Sequence, residues 1–91
     1  MEQQSKDKMD QNLSITIKTP SGDWPATFAK TTKIHDVINA VVKQFSYAQN
    51  GKYELVAQIN PDETLKPERT LVSYGIKDED LLVFIDHGIA V

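Results

Sequence analysis

The chain has 91 residues, 40% hydrophobic and 25% charged, a length that builds one modest core and leaves no room for a separate active-site lobe. It contains no cysteine, which excludes disulfides, thiolate metal sites and cysteine nucleophiles and fits a reducing, cytoplasmic setting. The net charge is -3, and the ten basic residues are scattered from Lys6 to Lys77 without forming a stripe, so neither nucleic acid nor an anionic membrane is an expected partner.

In chain order, the polar and aperiodic residues 1–12 read as a solvated tail. The domain proper is expected over 13–86, with a short C-terminal tail at 87–91. Leu13, Ile15 and Ile17 alternate with Ser14, Thr16 and Lys18, which predicts a half-buried strand. Pro20 and Gly22 then supply turn chemistry for a bulged hairpin loop. Trp24, Ala26 and Phe28 share one face of the returning strand, and Pro25, lacking an N–H, places that strand at an edge. Ile34, Val37, Ile38, Val41, Val42 and Phe45 form one apolar stripe at helical spacing. Thr32 is the expected N-cap, and the helix is expected to stop around "SYAQNG", where Asn50 and Gly51 supply turn chemistry. "YELVAQI" reads as a third strand, "NPDET" as a turn, and "LLVFID" as the last strand. The longest apolar run, Leu81 to Ile85, is far too short to span a bilayer. Neither does the start, Glu2-Gln3-Gln4, have the basic and apolar layout of a signal segment. The helix serves as a crossover that lets the first and last strands pair in parallel. The expected fold is α+β, a β-grasp with a mixed four- to five-stranded sheet packed on one helix.

Three segments carry a resemblance to ubiquitin-like proteins. "ITIKTPSGD" resembles their first hairpin, with Lys18, Thr19 and Gly22 in a Lys-Thr-x-x-Gly pattern. The stretch from Ile34 to Val42 resembles their single helix. "RTLVSYGIKDEDLLVFI" resembles their Arg-Thr-Leu-x-x-Tyr-x-Ile segment followed by an acidic turn and the last strand. The likeness spans Leu13 to Ile85, and the Tyr-Glu-Leu third strand and Tyr-Gly-Ile stretch are similar to small bacterial ubiquitin-like domains. In residues 69–76 a structural role is expected: Leu65 and Leu71 enter the core, Tyr74 gives its hydroxyl to a loop carbonyl, and Gly75 turns Ile76 inward.

Nothing in the residues points to catalysis. His35 and His87 lack metal-ligand spacing, Asp86 and His87 point to opposite sides of a strand, and Gly22, Gly51, Gly75 and Gly88 form no phosphate-cradling loop. The Asp78-Glu79-Asp80 run lacks the pattern of a calcium loop and reads as a solvated turn. The apolar side chains of the predicted elements suffice for a core without a cofactor.

The outer face of the sheet is the more informative surface. With Leu82 and Phe84 pointing inward, Leu81, Val83 and Ile85 face out; a one-residue shift would reverse them. Val56, and Pro20 in the hairpin turn, extend the trio to the positions where the resemblance implies partner binding. Pro20, Val56, Val83 and Ile85 are therefore the candidate protein-docking residues, on a chain expected to be monomeric. A second reading also follows from the resemblance: ubiquitin-like modifiers and sulfur carriers are activated at a C-terminal glycine, and Gly88 would serve after removal of the last three residues. Self-association through a strand edge is a third, for which the scattered lysines offer no basic half.

Overall fold

The computed structural model describes residues 11–89; residues 1–10 of the predicted 1–12 tail and the last two residues lie outside the described residues, while Asn12 already belongs to the first strand instead of the tail. Five strands, β1 (Asn12–Thr19), β2 (Gly22–Ala29), β3 (Gly51–Ala57), β4 (Asn60–Thr64) and β5 (Leu81–Ile89), form one sheet in the order β2-β1-β5-β3-β4. One helix, α1 (Ile34–Phe45), follows β2. The central pair β1 and β5 is parallel, with Ile17 opposite Leu82 and Lys18 opposite Val83, and the other neighbouring pairs are antiparallel. This is the α+β, β-grasp arrangement expected from the sequence.

The period-2 pattern of β1 places Leu13, Ile15 and Ile17 in the core, where they meet Ile34, Val37, Val41 and Val42 of α1. Leu55, Leu82 and Phe84 complete the inner face, and Leu65, Leu71 and Ile76 close it from the crossover between β4 and β5. The last strand thus takes the register that buries Leu82 and Phe84. Pro25 lies on an edge strand in the pair with Thr16. The Lys30 amide bonds to the Gln11 carbonyl, so alternate pairs carry the ladder bonds, and Pro25 occupies a position whose missing N–H would have faced the open edge.

Several local expectations are corrected. The β1–β2 register runs unbroken to Thr19–Gly22, so the hairpin loop has no bulge; Gly22 instead takes φ +131, and Thr19 Oγ1 bonds both the Ser21 N–H and the Gly22 carbonyl. Thr32 does not cap α1. Lys33 is the N-cap residue, without a side-chain bond, because the crossover supplies the acceptors: Ile34 N–H donates to the Arg69 carbonyl and His35 N–H to the Pro67 carbonyl. The helix ends as expected, at the start of the "SYAQNG" stretch, on Ser46, left-handed at φ 59, and Gly51 begins β3. "NPDET" is not a turn but the exposed edge strand β4, where Pro61 is tolerated because an edge needs fewer donors. β5 continues three residues beyond the expected end at Asp86.

The crossover forms a latch close to the expected one. Val72–Tyr74 make a single 3₁₀ turn closed by Gly75 at φ 73, and Ile76 returns to the core. Tyr74, however, accepts with its hydroxyl: Lys66 N–H donates to it at 2.7 Å, and Arg69 lies 4.5 Å from the ring centroid. Six aromatic rings, Phe28, Trp24, Phe45, Tyr47, Tyr53 and Phe84, form a chain of edge-on and stacked contacts with centroids 5.1 to 6.2 Å apart. Tyr47 in that chain shares a 2.7 Å hydrogen bond with Ser21, tying the turn that holds Pro20 to the body.

Candidate functional site: the outer face of the sheet

Because Leu82 and Phe84 point to the helix, Leu81, Val83 and Ile85 project from the opposite face of β5 and are half-buried. The same alternation on β3, where Leu55 and Tyr53 face inward, puts Val56 and Glu54 outward. Register then aligns a row across the sheet: Asp23 on β2, Lys18 on β1, Val83 on β5, Val56 on β3 and Thr64 on β4. Below it Pro25, Thr16 and Leu81 form a second row, and Ile85 stands beside Glu54 in a third. The face divides chemically. Over β1 and β2 it is mostly polar, with Ser14 and Thr27 hydroxyls 3.4 Å apart; over β5 and β3 it is aliphatic.

Of the expected docking residues, the structure brings Val56, Val83 and Ile85 onto one face, with Val56 directly opposite Val83. Pro20 is exposed in the hairpin turn at the end of β1, beside the strand that carries Val83. The expectation that Val56 offers free surface is not met: it is 3% exposed. Its position between Val83 and Thr64 in neighbouring strands, next to the irregularity at Val56–Ala57, closes it off from solvent. Val56 supports the patch from below, and Val83, Ile85 and Leu81 carry its surface.

From sequence, Lys18 and His87 are read in other roles and no polar residue is assigned to the border of this patch. His87 Nε2–H donates to Glu54 Oε1 at 2.8 Å, joining β5 to β3 beside Ile85, and Lys18 flanks Val83 on the other side. Only the strand register reveals these neighbours, since they are far apart in the chain. Gly88, exposed and at φ +83, lies within β5, and its amide donates to Asp86 Oδ1 at 2.7 Å.

The His35 ring meets Asp36, at 3.2 Å, and Asn39, at 3.3 Å, on the exposed side of α1. In the acidic turn Asp78 Oδ1 accepts the Ser14 N–H and Asp80 Oδ2 the Lys77 N–H, both at 2.8 Å, so two of the three carboxylates work as backbone acceptors. Among the described residues no group of three or more histidines and carboxylates is placed to hold a metal ion, and no helix is long and apolar enough to cross a membrane. Tyr53 donates its hydroxyl to the Ala48 carbonyl at 2.7 Å; burial, then the charge of Asp86 and the neighbouring Tyr47, push its phenol above the ordinary value near 10.

No family model matches this sequence, and a search of the curated proteins finds no match either. Solved structures do match. The ubiquitin-like domain of the Arabidopsis thaliana protein At2g32350 is 18% identical, with a TM-score of 0.72 over 87% of this chain and 81% of that one. The N-terminal ubiquitin-like domain of the 4931431F19Rik protein is 13% identical, with a TM-score of 0.74 over 90% and 81%. A structure described as molecular mimicry of SUMO that promotes DNA repair is 14% identical, with a TM-score of 0.71 over 82% and 91%. The fold is therefore that of ubiquitin-like domains.

Proposed function

We propose that this ubiquitin-like domain is a non-catalytic protein-binding module that docks a partner on the outer face of its sheet. The observation that carries this reading is the aliphatic half of that face: Leu81, Val83 and Ile85 stand in register on one strand over the closed-off Val56, with Lys18 on one side and the Glu54–His87 pair on the other. An apolar centre with a polar border is the anatomy of a protein interface, and the rigid sheet beneath it limits the entropy lost on docking.

Gly88 supports this reading over that of a modifier or sulfur carrier. A modifier must thread its glycine into an enzyme channel on free chain, whereas this glycine lies within β5, which pairs with β3 as far as Gly51–Ile89. Intact mass of the protein from its host, expected to show no chain cut after Gly88 and no adducts, checks that point. The docking face itself is tested by changing Val83 and Ile85 together to Asp. The double variant is expected to keep its circular dichroism and Trp24 fluorescence while losing the proteins that the unchanged chain isolates from its host. An unfolded variant, or one retaining the same partners, would overturn the reading.

A further inference from the structure

A second surface lies where the β3–β4 turn faces the approach to β5. A groove there encloses about 320 Å³, near the lower limit of ligand clefts, with room for a few side-chain carbons and not for a large cofactor. Ala57, Leu65 and Leu81 give it an apolar lining, and Ile59 stands at its rim with 90% of its surface exposed, the most exposed large apolar side chain among the described residues. Glu63, Glu79 and Asp80 also line it, and no lysine or arginine does. Among the described residues the only ion pairs are His35–Asp36 and His87–Glu54, so these three carboxylates meet no cationic side chain. They are also not grouped to hold a metal ion.

We propose that this groove binds a short segment of a partner protein in which an aliphatic side chain is flanked by lysine or arginine. The aliphatic group would fill the space beside Ile59, removing apolar surface from water, and the flanking cations would meet carboxylates that pair with no lysine or arginine among the described residues. A second copy of this chain is a poorer occupant, because two such grooves would bring like charges together on a molecule already at -3. The surface is distinct from the docking face proposed above, although Leu81 borders both.

The test is an NMR titration of the isotope-labelled chain with three amidated pentapeptides: Lys-Leu-Lys-Ile-Lys, the same sequence with glutamate for lysine, and the same with serine for the aliphatic residues. The expected result is saturable movement of the amide signals of Gln58, Ile59, Gly75 and Ile76 with the first peptide alone, weakened by added salt. Ile59→Ser and Glu79→Lys, both at exposed positions, should each weaken binding roughly tenfold while leaving the remaining spectrum in place. Absence of saturation, an equal response to the glutamate or serine peptide, or movement confined to Lys18, Val83 and Ile85 would overturn the proposal; that last pattern would concern only the outer face. Signals around Ile59 that broaden with protein concentration in the absence of peptide would also overturn it, by assigning the groove to a second copy.

Discussion

Replacing Asp78 by Ala and Glu79 by Gly, adjacent positions in one turn, should move stability in opposite directions. Ser14 lies on β1 before the β5 ladder begins at Thr16. Its N–H is taken by Asp78 Oδ1 at 2.8 Å and its carbonyl by the Glu79 N–H at 2.6 Å. A hydrogen bond to a charged group contributes about 1.5–3 kcal/mol; here both partners are exposed and water recovers part of it, which leaves about 1 kcal/mol lost in Asp78→Ala. Asp78→Asn keeps an acceptor oxygen and should fall in between. Glu79 sits at φ 69, where a side chain costs roughly 1–2 kcal/mol. Glycine removes that cost but adds about 0.5–1 kcal/mol of unfolded-chain entropy, so Glu79→Gly should gain about 0.5–1 kcal/mol. Urea unfolding can be followed by Trp24, the single tryptophan, which packs edge-on against Phe28 and Phe45. With a slope of about 2 kcal/mol per molar urea, Asp78→Ala lowers the midpoint by roughly 0.5 M and Glu79→Gly raises it by roughly 0.25–0.5 M. A neutral Asp78→Ala, or a Glu79→Gly that lowers the midpoint, would refute the assignment of this turn as the closing piece of β1.

Thr32→Ala should change the urea midpoint by the equivalent of less than about 0.5 kcal/mol, since carbonyls of the crossover cap α1; a loss of about 1 kcal/mol would restore the side-chain cap. Gly51→Ala should lower the midpoint by more than Asp78→Ala and alter the near-ultraviolet dichroism, because a Cβ there would overlap the Tyr53 hydroxyl and displace the ring from Phe84. The raised pKa of Tyr53 sets a pH dependence: folding favours its protonated form, so this contribution is complete below about pH 10 and is lost as pH rises through the folded value. Urea midpoints between about pH 8 and about pH 11 should therefore fall more steeply for the unchanged chain than for Tyr53→Phe, and equal slopes would contradict the shift.

The features legible in the sequence were those in which local period and burial agree. Leu13, Ile15 and Ile17 alternate because one face of β1 is core and the other is not. The α1 stripe from Ile34 to Phe45 repeats because one helix side packs on the sheet. β4 was missed for the same reason in reverse: every residue from Asn60 to Thr64 is exposed, so nothing imposes an alternation, and its pairing is written in β3 rather than in its own side chains. The helix cap was misplaced because its acceptors come from Pro67 and Arg69, more than thirty residues away. On the proposed docking face, alternation along β5 put Leu81, Val83 and Ile85 on one side, but which side faces out is decided by the register with β1 and β3. The closing-off of Val56, the Glu54–His87 pair and the acidic groove all depend on which strands become neighbours, a property of topology that no single segment contains.

Site-specific photo-crosslinking tests the proposed docking face most directly. A benzophenone side chain in place of Val83, compared with one in place of the exposed Asn39 on α1, should give a covalent product with another protein in the host from the sheet position and none from the helix. Products from both positions alike, or from Asn39 only, would contradict it.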